Sequence, residues 1–175
     1  MLHNYRKIFF VIISLVAIFN LDNNFISLTA NSSAPQQIDD VYVQISLAQV
    51  RERRPSYQIL LGGETEAEAY LDVYYESDKE GDGKIIAVES ELFRSFRFYH
   101  RKDAGRVGAK EDPVDSIPLP QFKVTHMAYV GYNIRLYGIE KMPAVGTKFP
   151  ITLILEGNKK FSTEADVVAT GLVVK

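Results

Sequence analysis

The chain predicts an all-β domain of the sandwich or barrel kind. Three observations carry this. Apolar residues recur with a period of two rather than 3.6 over most of the chain. Glycine and proline interrupt those runs at short intervals. Only one short stretch, 64–70 (ETEAEAY), has a helical composition, and it is small for a helix.

Taken in order, the first element is a targeting segment. Arg6 and Lys7 precede the apolar run Ile8 to Phe19, which ends at Asn20, Asp22, Asn23 and Asn24. A run of about a dozen residues, apolar but for Ser14, is short of the roughly 20 that span a bilayer. With the small residues Ser32-Ser33-Ala34 downstream, 1–34 reads as a secretory signal peptide, its retention as an N-terminal membrane anchor being the alternative. Residues 35–40, with Pro35, read as a linker, and 41–175 as one domain. Val41, Val43, Ile45 and Leu47 alternate with Tyr42, Gln44 and Ser46, a half-buried strand. Further strands are expected at 57–61, 69–75, 84–88, 96–100, 122–127, 132–138, 149–155, 161–168 and 172–174. Gly62, Gly63, Gly81, Gly83, Gly105, Pro118, Pro120, Gly131, Gly146 and Gly157 punctuate them.

Composition narrows the function. The sequence has 175 residues, 46% of them hydrophobic, enough for one domain with its own core. A net charge of -2 favours neither nucleic acid nor an anionic membrane as partner. There is no cysteine, so thiol chemistry and disulfides are excluded. No nucleophile elbow, metalloprotease helix or phosphate loop is present, and an enzyme reading has no residues to name.

The C-terminal half carries a specific text: PVDSIPLP (113–120), GYNIRLYGIEK (131–141), VGTKFPITLILE (145–156) and EADVV (164–168), preceded by EAYLDVYYESDKEGDGKIIAVES (68–90). Over roughly 66–170 the chain resembles the periplasmic copper chaperones of the PCu(A)C family. The resemblance implies a cupredoxin-like β-sandwich with Greek-key connections, a periplasmic location, and delivery of copper to a membrane-bound respiratory oxidase. It also implies a β-hairpin around 78–83.

Members of that family hold Cu(I) with a His, a Met after ten intervening residues, and a His-x-Met after twenty-one more intervening residues. The resemblance places His100, Glu111, Asn133 and Arg135 at those four positions. Cu(I) is soft and selects thioether and imidazole donors, so only His100 suits it. A guanidinium about 4 Å from the ion costs roughly 4 kcal/mol at an effective dielectric near 20, about a thousandfold in affinity. The expectation is therefore a family member whose copper site has degenerated, with Glu111 and Arg135 paired where the metal would sit and hydrogen-bonded to Asn133 and His100. It would act as a binding or assembly module. The alternative is an active Cu(I) chaperone with altered ligands, His100 joined by His126, Met127 or Met142. His126 and Met127 are sequence neighbours on a strand and so point to opposite faces.

A third reading comes from Asp78 to Glu89 (DKEGDGKIIAVE), which has the layout of an EF-hand loop: Asp78, Glu80 and Asp82 alternate, Gly83 turns, and Glu89 closes. It would make the chain a calcium-stabilised structural module. No second such loop exists, and a Glu89 on an outgoing strand cannot return as the twelfth ligand. Two features are left over. Arg51, Arg53 and Arg54 form a basic segment, a solvated turn or a surface for an anionic partner. Tyr74, Tyr75, Tyr99, Tyr129, Tyr132 and Tyr137 fill a core rim or form an aromatic contact surface.

Overall fold

A computed structural model describes residues 33–53, 65–102 and 110–169. Residues 1–32 of the signal-peptide candidate 1–34 and the strand candidates 57–61 and 172–174 lie outside the described residues.

Eleven strands follow one another: β1 Gln36–Ile38, β2 Val41–Glu52, β3 Thr65–Ser77, β4 Gly83–Glu89, β5 Ser95–Arg101, β6 Glu111–Val114, β7 Ile117–Leu119, β8 Lys123–Met127, β9 Gly131–Ile139, β10 Lys148–Leu155 and β11 Lys159–Val168. They form one continuous ladder, β6-β5-β9-β8-β3-β2-β11-β10-β4-β7, with β1 added to β2 and a further β9–β3 pairing. The ladder folds over on itself. The Thr125 hydroxyl of β8 donates to the Pro118 carbonyl of β7 at 3.2 Å, which brings the β7 edge back beside β8 and nearly closes a barrel. The all-β, cupredoxin-like sandwich expected from the sequence is the observed architecture. Its interior is sealed by fully buried Leu71, Ile85, Ile117, Ile134, Leu153 and Phe161.

Four local expectations are corrected. The described part of the helix candidate 64–70, residues 65–70, is not helical. From Thr65 they run as β3, because Ala67, Ala69, Leu71, Val73 and Tyr75 are all buried on one face, a period of two. Residues 36–38, read as linker, pair with Val41–Val43 through the tight turn Asp39–Asp40. The third correction lies in β2, where the pairing with β3 skips Ser46, a β-bulge. Val41, Val43 and Ile45 face inward before it and Ala48 and Val50 after it, so Leu47 leaves the inward row.

The fourth correction concerns 78–82, which is not a hairpin. β3 pairs with β2, β8 and β9, whereas β4 pairs with β10 and β7, so the turn is an arch between opposite sides of the sandwich. Gly83 at its foot has a packing reason: a Cβ there would lie 2.6 Å from the Tyr75 ring.

Candidate functional site

β2, β3, β9, β5 and β6 turn their apolar side to the core and carry a row of charge on the other side. Registration builds this row. Arg51 lies opposite Glu68, Glu68 opposite Arg135, Arg135 opposite Arg97, Tyr99 opposite Asn133, and Arg101 opposite Glu111. Partner residues on neighbouring strands share a face, so these side chains meet.

Two carboxylates organise the row. Glu111 accepts from Arg101 Nη2 through Oε1 and from Arg135 Nη2 through Oε2. Glu68 accepts from Arg51 Nη2 at 2.9 Å, the Tyr70 hydroxyl at 2.5 Å and Arg53 Nε at 3.3 Å, while Arg135 Nε stands 3.9 Å away. Arg53 also reaches Glu66 at 3.1 Å. Aromatic rings cover the cations: Arg51 lies 4.7 Å from the Tyr70 ring centre, Arg101 3.9 Å from Tyr129 and Arg135 4.3 Å from Tyr99. The cluster is dry for a charged one, with Glu68 5% and Arg101 8% exposed.

Protonation follows from these contacts. Burial works to raise the Glu68 pKa, but the Tyr70 hydroxyl and Arg51 outweigh it and hold the carboxyl below its usual range. Burial and the Glu68 charge push Tyr70 strongly up. Tyr99 and Tyr137 share a hydroxyl–hydroxyl contact of 3.2 Å. Burial and that contact raise Tyr137 to about 12. For Tyr99, burial is outweighed by the Tyr137 hydroxyl and by Arg97 and Arg135, and its pKa is lowered.

The structure places the sequence-derived site residues unevenly. Glu111 and Arg135 are paired. Asn133 is 2% exposed on the same face, yet its Oδ1 has no hydrogen-bond partner. His100 is not with them. It lies opposite Asp112 and Tyr132 on the core-side face of β5, stacked on the Tyr132 ring at 4.4 Å. The residue opposite Glu111 is Arg101, one position along. Arg51 and Arg53 of the basic segment also belong to the cluster, Arg51 on strand β2 rather than in a solvated turn, and they meet Glu68, which the sequence did not single out. Their sequence signal is the alternation Arg51-x-Arg53, Glu66-x-Glu68-x-Tyr70 and Arg97-x-Tyr99-x-Arg101, charge and aromatic at period two on three strands.

The remaining candidates are dispersed. Met127 is buried in the core, His126 points outward and contacts Asp72 at 2.8 Å, and Met142 packs half-buried against the core. Asp78, Glu80 and Asp82 are exposed on the arch. Gln121 plugs that arch, donating through Nε2 to the Ser77 carbonyl at 2.6 Å, while its backbone N–H donates to Asp82 Oδ1 at 3.0 Å. Glu89 points away on β4, bound to Lys160 at 2.8 Å. Among the described residues no group of three or more His, Cys, Asp or Glu is arranged to hold a metal ion. The donors around Glu111 are carboxylate, amide and guanidinium. They include no thioether, thiol or imidazole, and do not fit Cu(I).

Comparison with known proteins yields structures rather than sequences. No protein-family model and no curated protein matches the chain. Among solved structures it is similar to the copper-bound PCuAC domain from PmoF2 (28% identity, 79% of this chain and 97% of that one, TM-score 0.56). It is similar also to the apo form of that domain (25% identity, 81% and 100%, TM-score 0.54). The Cu(I) form of DR1885 from Deinococcus radiodurans shares the fold (21% identity, 71% and 76%, TM-score 0.51). The chain is thus PCuAC-like in fold over most of its length.

Proposed function

We propose that this PCuAC-like chain is an exported binding or assembly module in which an arginine–glutamate cluster stands where its relatives place copper. The single observation behind this reading is the Glu111 carboxylate held between Arg101 and Arg135. Two guanidiniums repel a metal cation, and the carboxylate that would offset them is already engaged by both. The cluster ties β6, β5, β9, β3 and β2 together, a mechanical role that a metal bridging the same strands would also serve. The module has no catalytic step, and its work is recognition, at the cell envelope if the apolar segment 8–19 acts as an export signal.

Copper stoichiometry tests the reading. Purified protein titrated with Cu(I) under reducing conditions, against a competing chelator, is expected to retain none, and His100→Ala is expected to change nothing. One tightly held Cu(I) per chain, lost in His100→Ala, would replace this reading by an active chaperone with altered ligands.

A further inference from the structure

We propose that Arg101 and Arg135 form a site for one small monovalent carboxylate or oxoanion on this polar face. The inference rests on the reading that arginines, not metal ligands, occupy the position.

The first observation is unspent hydrogen-bonding capacity. Arg101 is 8% exposed, yet its Nε and Nη1 have no hydrogen-bond partner, and neither does the buried Nε of Arg135. A guanidinium offers only N–H donors and no acceptor. Buried donors left without an acceptor are costly, and each asks for one.

The second observation is charge. The nearly buried part of the cluster holds Arg51, Arg101 and Arg135 against Glu68 and Glu111, three positive groups to two negative. Arg53 and Glu66 are more exposed and offset each other. One positive charge is left over, and it lies at the end where the unpaired donors are. A single negative charge with two or more oxygen acceptors meets both demands. A metal cation meets neither, and a neutral ligand supplies acceptors but no charge.

The third observation is access. The face of the Arg101 guanidinium is covered by the Tyr129 ring, and that tyrosine is 49% exposed in the turn between β8 and β9. Rotation of this one side chain uncovers Arg101 without disturbing a strand. Tyr129 acts as the cover of the site and Arg97, exposed on the same face, as an outer attractor for the anion.

The test uses the purified chain, titrated with formate, acetate, bicarbonate and sulfate at constant ionic strength. It is followed through the arginine Nε–H resonances and the melting temperature. Formate, acetate or bicarbonate is expected to shift the Arg101 and Arg135 Nε–H signals with one saturable site per chain and to raise the melting temperature in parallel. Arg101→Gln should weaken this by about tenfold or more, and Arg97→Gln should leave a saturable site. Tyr129→Ala, which keeps the charged cluster intact, should still bind and should exchange the anion faster. Unmoved Nε–H signals in the wild-type chain would overturn the site, and tighter binding of sulfate would overturn its monovalent character. A chain that binds no Cu(I) and shows no anion response sinks this inference alone. A chain that binds Cu(I) through His100 removes the reading beneath it.

Discussion

Glu111 on β6 and Arg135 on β9 are bonded to each other across β5, the strand that lies between theirs. The contact spans two strand spacings, roughly 10 Å of sheet, which only long side chains bridge. Arg101, on the strand between, takes the other carboxylate oxygen. One carboxylate therefore fixes three strands at once.

Removing that carboxylate should be severe. Glu111→Gln leaves two largely buried guanidiniums without their anionic acceptor, a loss of about 3–5 kcal/mol. Urea denaturation monitored by tyrosine fluorescence measures it. A loss under about 1 kcal/mol would show that solvent already screens the pair.

The register between β5 and β6 makes a sharper prediction about metal. Replacing Arg101→His, Glu111→Met, Asn133→His and Arg135→Met puts two imidazoles and two thioethers on one face and is expected to create Cu(I) binding. The same set with Arg101 kept and His100 as the second imidazole is expected to fail, because His100 projects from the opposite face of β5. Chelator competition distinguishes them. The retained guanidinium alone is expected to weaken Cu(I) by about a thousandfold.

The tyrosines predict the alkaline limb of stability. Tyr70 and Tyr137 have pKa values raised in the folded state, Tyr137 to about 12. A raised group binds its proton more tightly when folded. Its contribution is complete below the unfolded tyrosine value of about 10 and is lost as pH climbs through the folded value. Tyr99 is lowered and ionises first. Ultraviolet titration should show an early tyrosinate that disappears in Tyr99→Phe, and stability should fall toward pH 12.

The arch between β3 and β4 predicts indifference to calcium. Gln121 occupies its interior, and Glu89 is engaged by Lys160. Calorimetric titration with Ca²⁺ is expected to give no binding heat. Gln121→Ala should cost about 1–2 kcal/mol through the lost amide contacts.

The sandwich was legible because alternation is a local property. Phe98, Phe161, Ala165 and Val167 declare their faces from their neighbours alone. The pairing of Glu111 with Arg135 was legible because a resemblance supplied the spacing. What counting could not supply was the offset between β5 and β6. Residues 102–110 stand between these strands in the sequence, and moving the pairing by one residue exchanges His100 for Arg101. Nor could counting show that the basic 51–53 segment meets Glu68, since that contact depends on which strands become neighbours. The stretch 64–70 misled for the opposite reason: alanine and glutamate favour helix locally, and burial between β2 and β9 overrides that preference.

Ser46, the residue skipped in the β2 ladder, governs side chains far from itself. It inverts the parity of everything downstream. Were Ser46 paired in the ladder instead of bulged out, Leu47, Gln49 and Arg51 would continue the inward row begun by Val41. Arg51 would then be aimed into hydrocarbon, and Glu68 would face the wrong edge of its neighbour. Deleting Ser46 would instead remove the extra residue and leave Leu47 facing out and Ala48 facing in, so the cluster depends on the bulge absorbing this serine rather than on the serine itself.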